Sequence, residues 1–250
     1  MKKLLLLIVF VSFFACKKEA TVLNENVLAD YIELNNSLAI ADLVACAGGT
    51  PDGLLKTSAE PTDVFFYPIS GATEFRYFEA DNVVDSLDFT KYTAKPLADE
   101  PIFNGYLWKF NNTPFTGERM GVVTYKTSGK LHVCTPIRLK TNLKPTEVNA
   151  NLITVEVQGT TPAFSWSDGN IKENVIYFHV ISDADNNLIS GTYTFEKNFT
   201  FYDLSNVVFN ITDTTTTPIL QPNETYQFTL MGVSEDNWVN LFAETTFQTE

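Results

Sequence analysis

The chain has 250 residues, of which 44% are hydrophobic and 13% aromatic, with a formal net charge of −13 and a pI near 4.5. The apolar content is sufficient for folded cores and excludes a disordered chain, and the length favours two domains of roughly 100–120 residues. The acidic charge would repel nucleic acids and anionic membrane surfaces, so we expect no nucleic-acid partner.

The N-terminus has the layout of a secretory signal. Two lysines follow Met1, and the apolar run from Leu4 to Ala15 is too short to span a bilayer as a helix, which needs about twenty residues. Ala15-Cys16, followed by polar residues, resembles the lipobox of bacterial lipoproteins, although Phe13 stands where that family usually has Leu. The resemblance implies a signal peptide over residues 1–15 and lipidation of Cys16 as a membrane anchor. The alternative is ordinary secretion.

Residues 16–36 are interpreted as a tether that contains a short helix. Val27, Leu28, Tyr31 and Ile32 recur at helical spacing, and Asn24 is a candidate cap.

Residues 37–144 are predicted to form a first β-sandwich, because short strand-like runs alternate with glycine- and proline-containing turns. The abundance of Phe and Tyr also favours strands. The predicted strands are Ile40 to Ala47, Asp63 to Tyr67, Glu74 to Glu79, Phe103 to Phe110, Gly121 to Lys126 and Lys130 to Leu139.

Two cysteines besides Cys16 remain after removal of the signal, and both lie in this first domain. An even pair in an exported chain indicates a disulfide, so we predict a bond between Cys46 and Cys134. The alternative is a pair of buried free thiols.

Residues 145–250 are predicted to form a second β-sandwich. In one strand Tyr226, Phe228 and Leu230 alternate with polar residues, which predicts one buried face and one wet face. The predicted strands are Asn151 to Gln158, Pro162 to Trp166, Val175 to Ser182, Leu188 and its neighbours, Phe199 to Leu204, Val207 to Ile211 and the two after Leu220.

This second half resembles the fibronectin type III domain. Leu220, Pro222 and Tyr226 match that family's tyrosine corner, in which the tyrosine hydroxyl bonds to the upstream backbone, and Trp166 matches its core tryptophan. The chain is therefore expected to be all-β, with two sandwiches of immunoglobulin or fibronectin type III type after the signal peptide and tether.

The residues that catalysis or metal binding would need are few. His132 and His179 lie within predicted strands of different domains, and no motif for a nucleophile, zinc or phosphate is present. Asp183, Asp185 and Asn187 have the spacing of a calcium loop, but Leu188 stands where an EF-hand needs glycine. We therefore expect no enzyme activity, no cofactor and no metal.

Trp238 is the candidate contact residue. Val239, Leu241 and Ala243 form the apolar set of the last strand, so Trp238 would face outward, where it could stack on a sugar or a partner protein. The alternative is that its ring folds over the end of the sandwich.

Together these features predict a lipid-anchored, extracytoplasmic binding, adhesion or scaffold protein of the bacterial envelope. Asp85-Ser86-Leu87 and Asp213-Thr214-Thr215 resemble the O-glycosylation motifs of Bacteroidota, which favours an outer-membrane lipoprotein facing either the surface or the periplasm. Its partners would be the membrane, through Cys16, and a glycan or protein. The alternatives are an accessory carbohydrate-active enzyme with a carboxylate site in the first domain, and a purely structural stalk.

Overall fold

The computed structural model describes residues 22–49, 62–81, 86–111, 117–141, 143–212 and 216–250. In these ranges the secondary structure consists almost entirely of strands, which confirms the predicted all-β fold. The single α-helix among them is α1 (Leu28–Leu34), and three short 3-10 helices span Phe89–Lys91, Phe103–Gly105 and Ala150–Leu152.

The first half of the chain contributes ten strands, which form two sheets. They are β1 (Ala39–Leu43), β2 (Ala45–Gly48), β3 (Asp63–Phe66), β4 (Thr73–Ala80), β5 (Thr93–Lys95), β6 (Asp99–Ile102), β7 (Leu107–Asn111), β8 (Arg119–Thr127), β9 (Lys130–Cys134) and β10 (Ile137–Leu139). Sheet I has the order β1-β9-β8-β4-β5, with β10 also paired to β8, and sheet II has the order β2-β3-β7-β6. The run predicted as one strand from Ile40 to Ala47 is divided at Val44, where the chain passes from sheet I to sheet II.

The second half contributes nine strands, which also form two sheets. They are β11 (Glu147–Val148), β12 (Ile153–Glu156), β13 (Ala163–Trp166), β14 (Asn174–Ser182), β15 (Leu188–Thr194), β16 (Asn198–Thr200), β17 (Val207–Asn210), β18 (Thr225–Ser234) and β19 (Val239–Gln248). Sheet III has the order β11-β19-β18-β14-β15-β17, and sheet IV has the order β12-β13-β16. A three-stranded sheet facing a larger one is the two-layer arrangement expected for this half.

The four sheets stack in numerical order, with an apolar layer between each pair. Strand β3 shows the alternation that produces this stack, because Val64 and Phe66 pack between sheets I and II while Phe65 points towards sheet III. In β14 Phe178 packs towards sheet II, whereas Tyr177 packs towards sheet IV. Sheets II and III are thus covered on both faces, and the two sandwiches share a continuous core.

Helix α1 covers the outer face of sheet I. Leu28 and Tyr31 are buried, and the Tyr31 ring lies 5.6 Å from the Phe78 ring of β4. The predicted cap at Asn24 is wrong, because the helix N-cap is Val27, which has no side-chain capping bond, and the Asn24 side chain accepts from Asn26 N in the preceding turn. The described part of the interpreted tether therefore belongs to the folded body.

Candidate functional site

A groove of about 510 Å³ opens at one edge of the first sandwich, between sheets I and II. Its size lies within the range of small-molecule sites. Strand β4, strand β5 with the turn after it, strand β7 and the segment before α1 supply the lining, which consists of Asn26, Phe75, Arg76, Tyr77, Ala94, Lys95, Pro96, Leu97 and Phe110.

Aromatic rings form the inner wall of the groove. The half-buried Phe75 ring is held by Trp108 at 4.9 Å and by Phe66 at 5.1 Å. Tyr77 and Phe110 are fully buried and lie 5.8 Å apart. The Tyr77 ring packs against Gly121, where a Cβ atom would lie only 2.6 Å from the hydroxyl oxygen. The ring fits there because glycine has no side chain. The wall is fixed by core packing, so Phe75 is presented to the groove in one position.

Two cations lie along the groove. The Arg76 guanidinium sits 4.6 Å above the Tyr31 ring and donates to the Glu25 backbone oxygen at 3.1 Å. The Lys95 ammonium is 3.7 Å from a carboxylate oxygen of Glu79. Each cation has a carboxylate partner, since Arg76 also lies 3.4 Å from Glu25 Oε2, so the groove presents two ion-paired cations beside an apolar wall.

Glu79 is the enclosed carboxylate behind the groove, with 2% exposure. It accepts hydrogen bonds from the Tyr77 hydroxyl and from Arg119, both at 3.1 Å. Burial, and then the charge of Glu79, raise the pKa of Tyr77 well above its usual range. Asp63 is likewise paired with buried Lys109 at 2.9 Å. Because a cation neutralises each carboxylate, neither is placed as a general base.

The segment before α1 closes the edge of β5 beside the groove. Ala94 N donates to Asn26 O at 2.8 Å, and Leu28 N donates to Tyr92 O at 3.0 Å. The segment therefore acts as a short additional strand, and it brings Asn26 to the rim.

The predicted disulfide between Cys46 and Cys134 is wrong for this structure, in which both residues are free thiols. Within β2, Ala45 and Ala47 face sheet I, so Cys46 points the opposite way, towards sheet III. Cys134 packs in the core of the first sandwich, where its Sγ accepts a hydrogen bond from Val123 N at 3.1 Å. Burial raises the pKa of each thiol to about 12, so neither is a nucleophile at neutral pH.

The contact role proposed for Trp238 is also wrong, because its side chain has 0% exposure. The ring inserts into the core of the first sandwich, and its Nε1 donates to Lys144 O at 2.8 Å. Ala47 N donates to Asn237 O at 3.0 Å, so the β18–β19 turn also pairs with the backbone of β2. Trp238 therefore joins the two sandwiches.

The tyrosine corner residues lie together at the start of β18. Leu220 is buried, and the Tyr226 hydroxyl accepts a hydrogen bond from Gln221 N at 2.8 Å. Pro222 is exposed within the turn. Leu220 and Tyr226 thus fix the loop against the core between sheets III and IV.

Both histidines are buried in strands. His132 has Thr127 Oγ1 at 3.0 Å and Asp42 O at 3.1 Å as hydrogen-bond partners. His179 Nδ1 is 3.0 Å from Thr192 Oγ1. No group of three or more His, Cys, Asp or Glu side chains suited to a metal ion occurs in the described ranges.

The calcium-like sequence forms a hairpin turn. Asp183 accepts hydrogen bonds from the backbone N–H groups of Asp185 and Asn187, each at 2.9 Å, and from the Asn187 side chain at the same distance. Its carboxylate is therefore occupied by the turn itself.

Several predicted features lie outside the described residues. They include Cys16, the signal peptide, Asp85 and the motif at 213–215. Among the residues that are described, no helix has the length and apolar composition needed to cross a membrane.

A second groove of about 510 Å³ lies near the junction of the two sandwiches and is lined by Glu173, Val175, Ser234, Glu235 and Asp236. Lys144 pairs with Glu173, and Lys140 lies 2.7 Å from Asp236. Two of its three carboxylates are thus used in ion pairs, and its lining contains no aromatic ring, which makes it a weaker candidate than the aromatic groove.

Comparison with known proteins adds little. No family model and no curated protein matches the chain. Among solved structures it is similar to the FN1–FN3 domains of chicken CNTN1, with 12% identity and a TM-score of 0.30, over 85% of this chain and 68% of that one. It is also similar to the chicken interferon gamma receptor alpha chain, with 11% identity and a TM-score of 0.24, over 75% of this chain and 91% of that one.

Proposed function

We propose that the protein is a non-catalytic, lipid-anchored binding protein of the bacterial envelope, and that it holds an acidic saccharide in the groove of the first sandwich. The observation that carries the proposal is the combination, in one groove, of the fixed Phe75 ring with the cations Arg76 and Lys95.

The ligand class follows from these groups. The apolar face of a sugar ring packs well against an aromatic side chain, and Leu97 extends the apolar surface beside Phe75. A carboxylate on the sugar would be attracted to Lys95 and Arg76, whereas the acidic surface elsewhere would repel it. A uronic acid unit combines both properties.

Calorimetric titration with trigalacturonate, compared with neutral maltotriose, tests the ligand. We expect the acidic trisaccharide to bind more tightly, and Lys95→Met to weaken it by about tenfold, equivalent to about 1.4 kcal/mol. Phe75→Ala should weaken both sugars. The matched control is Lys130→Met, which removes an exposed lysine of β9 outside the groove. Equal binding of both sugars, or an unchanged affinity in Lys95→Met, contradicts the proposal.

The anchor is tested separately through Cys16. Several acyl chains on this residue would hold the protein firmly on a membrane, whereas one chain gives only weak, reversible binding. In cell fractionation, Cys16→Ala should move the protein from the membrane to the soluble fraction, while Cys46→Ala serves as the control thiol variant. Unchanged membrane association of Cys16→Ala would contradict lipid anchoring without affecting the groove.

A further inference from the structure

Glu25 lies in a turn that is fixed beside the groove between sheets I and II. The Asn24 side chain accepts a hydrogen bond from Asn26 N at 3.0 Å, and the Asn24 backbone oxygen accepts one from Val27 N at 2.9 Å. Asn24 N in turn donates to a carboxylate oxygen of Asp30 at 2.9 Å. Since the next residue, Asn26, is bonded to the edge of β5 and lines the groove, Glu25 is held directly at the rim.

Glu25 contacts both terminal nitrogens of the Arg76 guanidinium. One nitrogen donates to the Glu25 backbone oxygen at 3.1 Å, and the other lies 3.4 Å from a carboxylate oxygen of Glu25. The guanidinium carbon is 4.6 Å from the centre of the Tyr31 ring, so the ring covers one face of the group. A ligand carboxylate that approaches the second nitrogen would meet the like charge of Glu25 there. The two carboxylates repel each other, so the ligand must displace that of Glu25.

The contact between Glu25 and Arg76 is one that a ligand can displace. The Glu25 side chain is 64% exposed and the Arg76 side chain is 29% exposed. Exposed ion pairs of this kind are weak. Rotation of the Glu25 side chain leaves the bond from Arg76 to the Glu25 backbone oxygen in place. Arg76 would thus stay oriented while its second nitrogen is released to the ligand.

The other cation of the groove has a partner that cannot move aside in this way. The side chain of Glu79, the carboxylate that pairs with Lys95, is only 1% exposed. It also accepts hydrogen bonds from the Tyr77 hydroxyl and from Arg119. Because these bonds hold Glu79 in the core, Glu25 is the partner that a ligand can replace.

We propose that Glu25 is a specificity-determining residue of the groove, because its carboxylate competes with that of an acidic saccharide for Arg76. This inference rests on the acidic ligand proposed above. A neutral saccharide leaves Glu25 on Arg76, whereas an acidic one must displace it. Glu25 therefore reduces the preference of the groove for acidic over neutral sugars, and loss of its charge should tighten the binding of the acidic sugar alone.

Calorimetric titration of Glu25→Gln with trigalacturonate and with maltotriose tests this inference. We expect the variant to bind trigalacturonate about three- to fivefold more tightly than wild type, as for removal of an exposed charge pair, and to bind maltotriose unchanged. In the Arg76→Gln background most of this gain should be lost, because the group for which the two carboxylates compete is absent.

The matched control is Glu33→Gln, which removes the same charge from an exposed residue of α1 outside the groove and should leave both affinities unchanged. Thermal unfolding confirms that each variant is folded before binding is compared. An unchanged affinity of Glu25→Gln for trigalacturonate overturns the inference. An equal gain in Glu33→Gln, or an undiminished gain in the Arg76→Gln background, also overturns it.

The Lys95→Met variant distinguishes a failure of this inference from a failure of the proposed function. If Lys95→Met weakens the binding of trigalacturonate while Glu25→Gln changes nothing, the acidic ligand is supported and the role of Glu25 is wrong. If trigalacturonate binds to neither wild type nor Glu25→Gln, both proposals are wrong.

Discussion

The imidazole of His179 has only 1% exposure and is surrounded by aromatic rings. Phe199, Trp166 and Phe228 lie 4.3, 5.6 and 5.9 Å from it, and the one polar neighbour on the adjacent strand is Thr192. Loss of hydration on burial lowers the pKa of His179 from 6.5 to about 3. The ring is therefore neutral in the folded protein, and protonation requires it to leave the core.

This burial predicts a loss of stability in acid. The unfolded chain binds a proton on His179 below pH 6.5, whereas the folded chain does so only near pH 3, so the free energy of unfolding falls as the pH decreases through this window. We expect His179 to account for a loss of about 2–3 kcal/mol between pH 7 and pH 4.5. Urea unfolding of wild type and His179→Phe at several pH values measures the part of the acid-induced loss of stability that is due to His179. Parallel pH profiles for the two proteins would contradict it.

Residue-scale predictions failed where they depended on which face a side chain takes. Two cysteines in one predicted domain suggested a disulfide between Cys46 and Cys134. Side chains alternate along β2, however, so Cys46 points away from the core that contains Cys134. Trp238 was assigned to a solvent-facing side of the last strand, but its ring is buried in the core of the first sandwich. A local sequence pattern does not show which other element packs against each face of a strand.

At the scale of single elements, the predictions made from local motifs agree with the structure. The tyrosine corner is contained within seven residues, and the Tyr226 hydroxyl meets Gln221 N at the distance of a hydrogen bond. Helical spacing placed α1 near its observed bounds of Leu28–Leu34. The turn predicted from Asp183 to Asn187 forms, and its first carboxylate accepts bonds from the backbone of Asp185 and Asn187. Each of these depends on neighbours in sequence, so the sequence alone was sufficient.

Strand burial was harder to predict. Tyr226, Phe228 and Leu230 are buried as their alternation indicated, and Gln227 between them is half-buried, but Thr229, which was predicted to face solvent, is only 2% exposed. Its hydroxyl donates to Glu244 Oε1 at 3.2 Å, and burial raises the pKa of that carboxyl. A polar residue with a hydrogen-bond partner can be buried without an apolar pattern.

The groove could not be predicted from sequence. Phe75 and Arg76 come from β4, Lys95 ends β5, and Asn26 precedes α1, so the lining joins segments that are far apart in the chain. None of these segments carries a motif. Only the pairing of β5 with β4, and of the N-terminal segment with β5, brings the groups together.

At the scale of the whole molecule, the two sandwiches meet where sheet II packs on sheet III, and this seam resembles a domain interior. Phe65 and Leu107 from sheet II pack with Phe178 and Met231 from sheet III in one apolar cluster. The approach is close, since a Cβ at Gly48 would lie 2.6 Å from the Cβ of Val239. Large hydrophobic interfaces of this kind suppress relative domain motion. We therefore expect the two sandwiches to unfold together.

Trp238 provides the test of this coupling, because it belongs to the second half of the chain and fills the core of the first. Calorimetry of wild type should give a single transition, with equal calorimetric and van't Hoff enthalpies. Trp238→Ala should lose about 3–5 kcal/mol of stability through the cavity it leaves, and its transition should broaden or divide. Trp238→Phe keeps a ring in the core but loses the bond from Nε1 to Lys144 O, so it should lose less and remain a single transition. Two separate transitions in wild type would show that the seam does not couple the sandwiches. Identical behaviour of the two variants would show that the coupling does not depend on the ring.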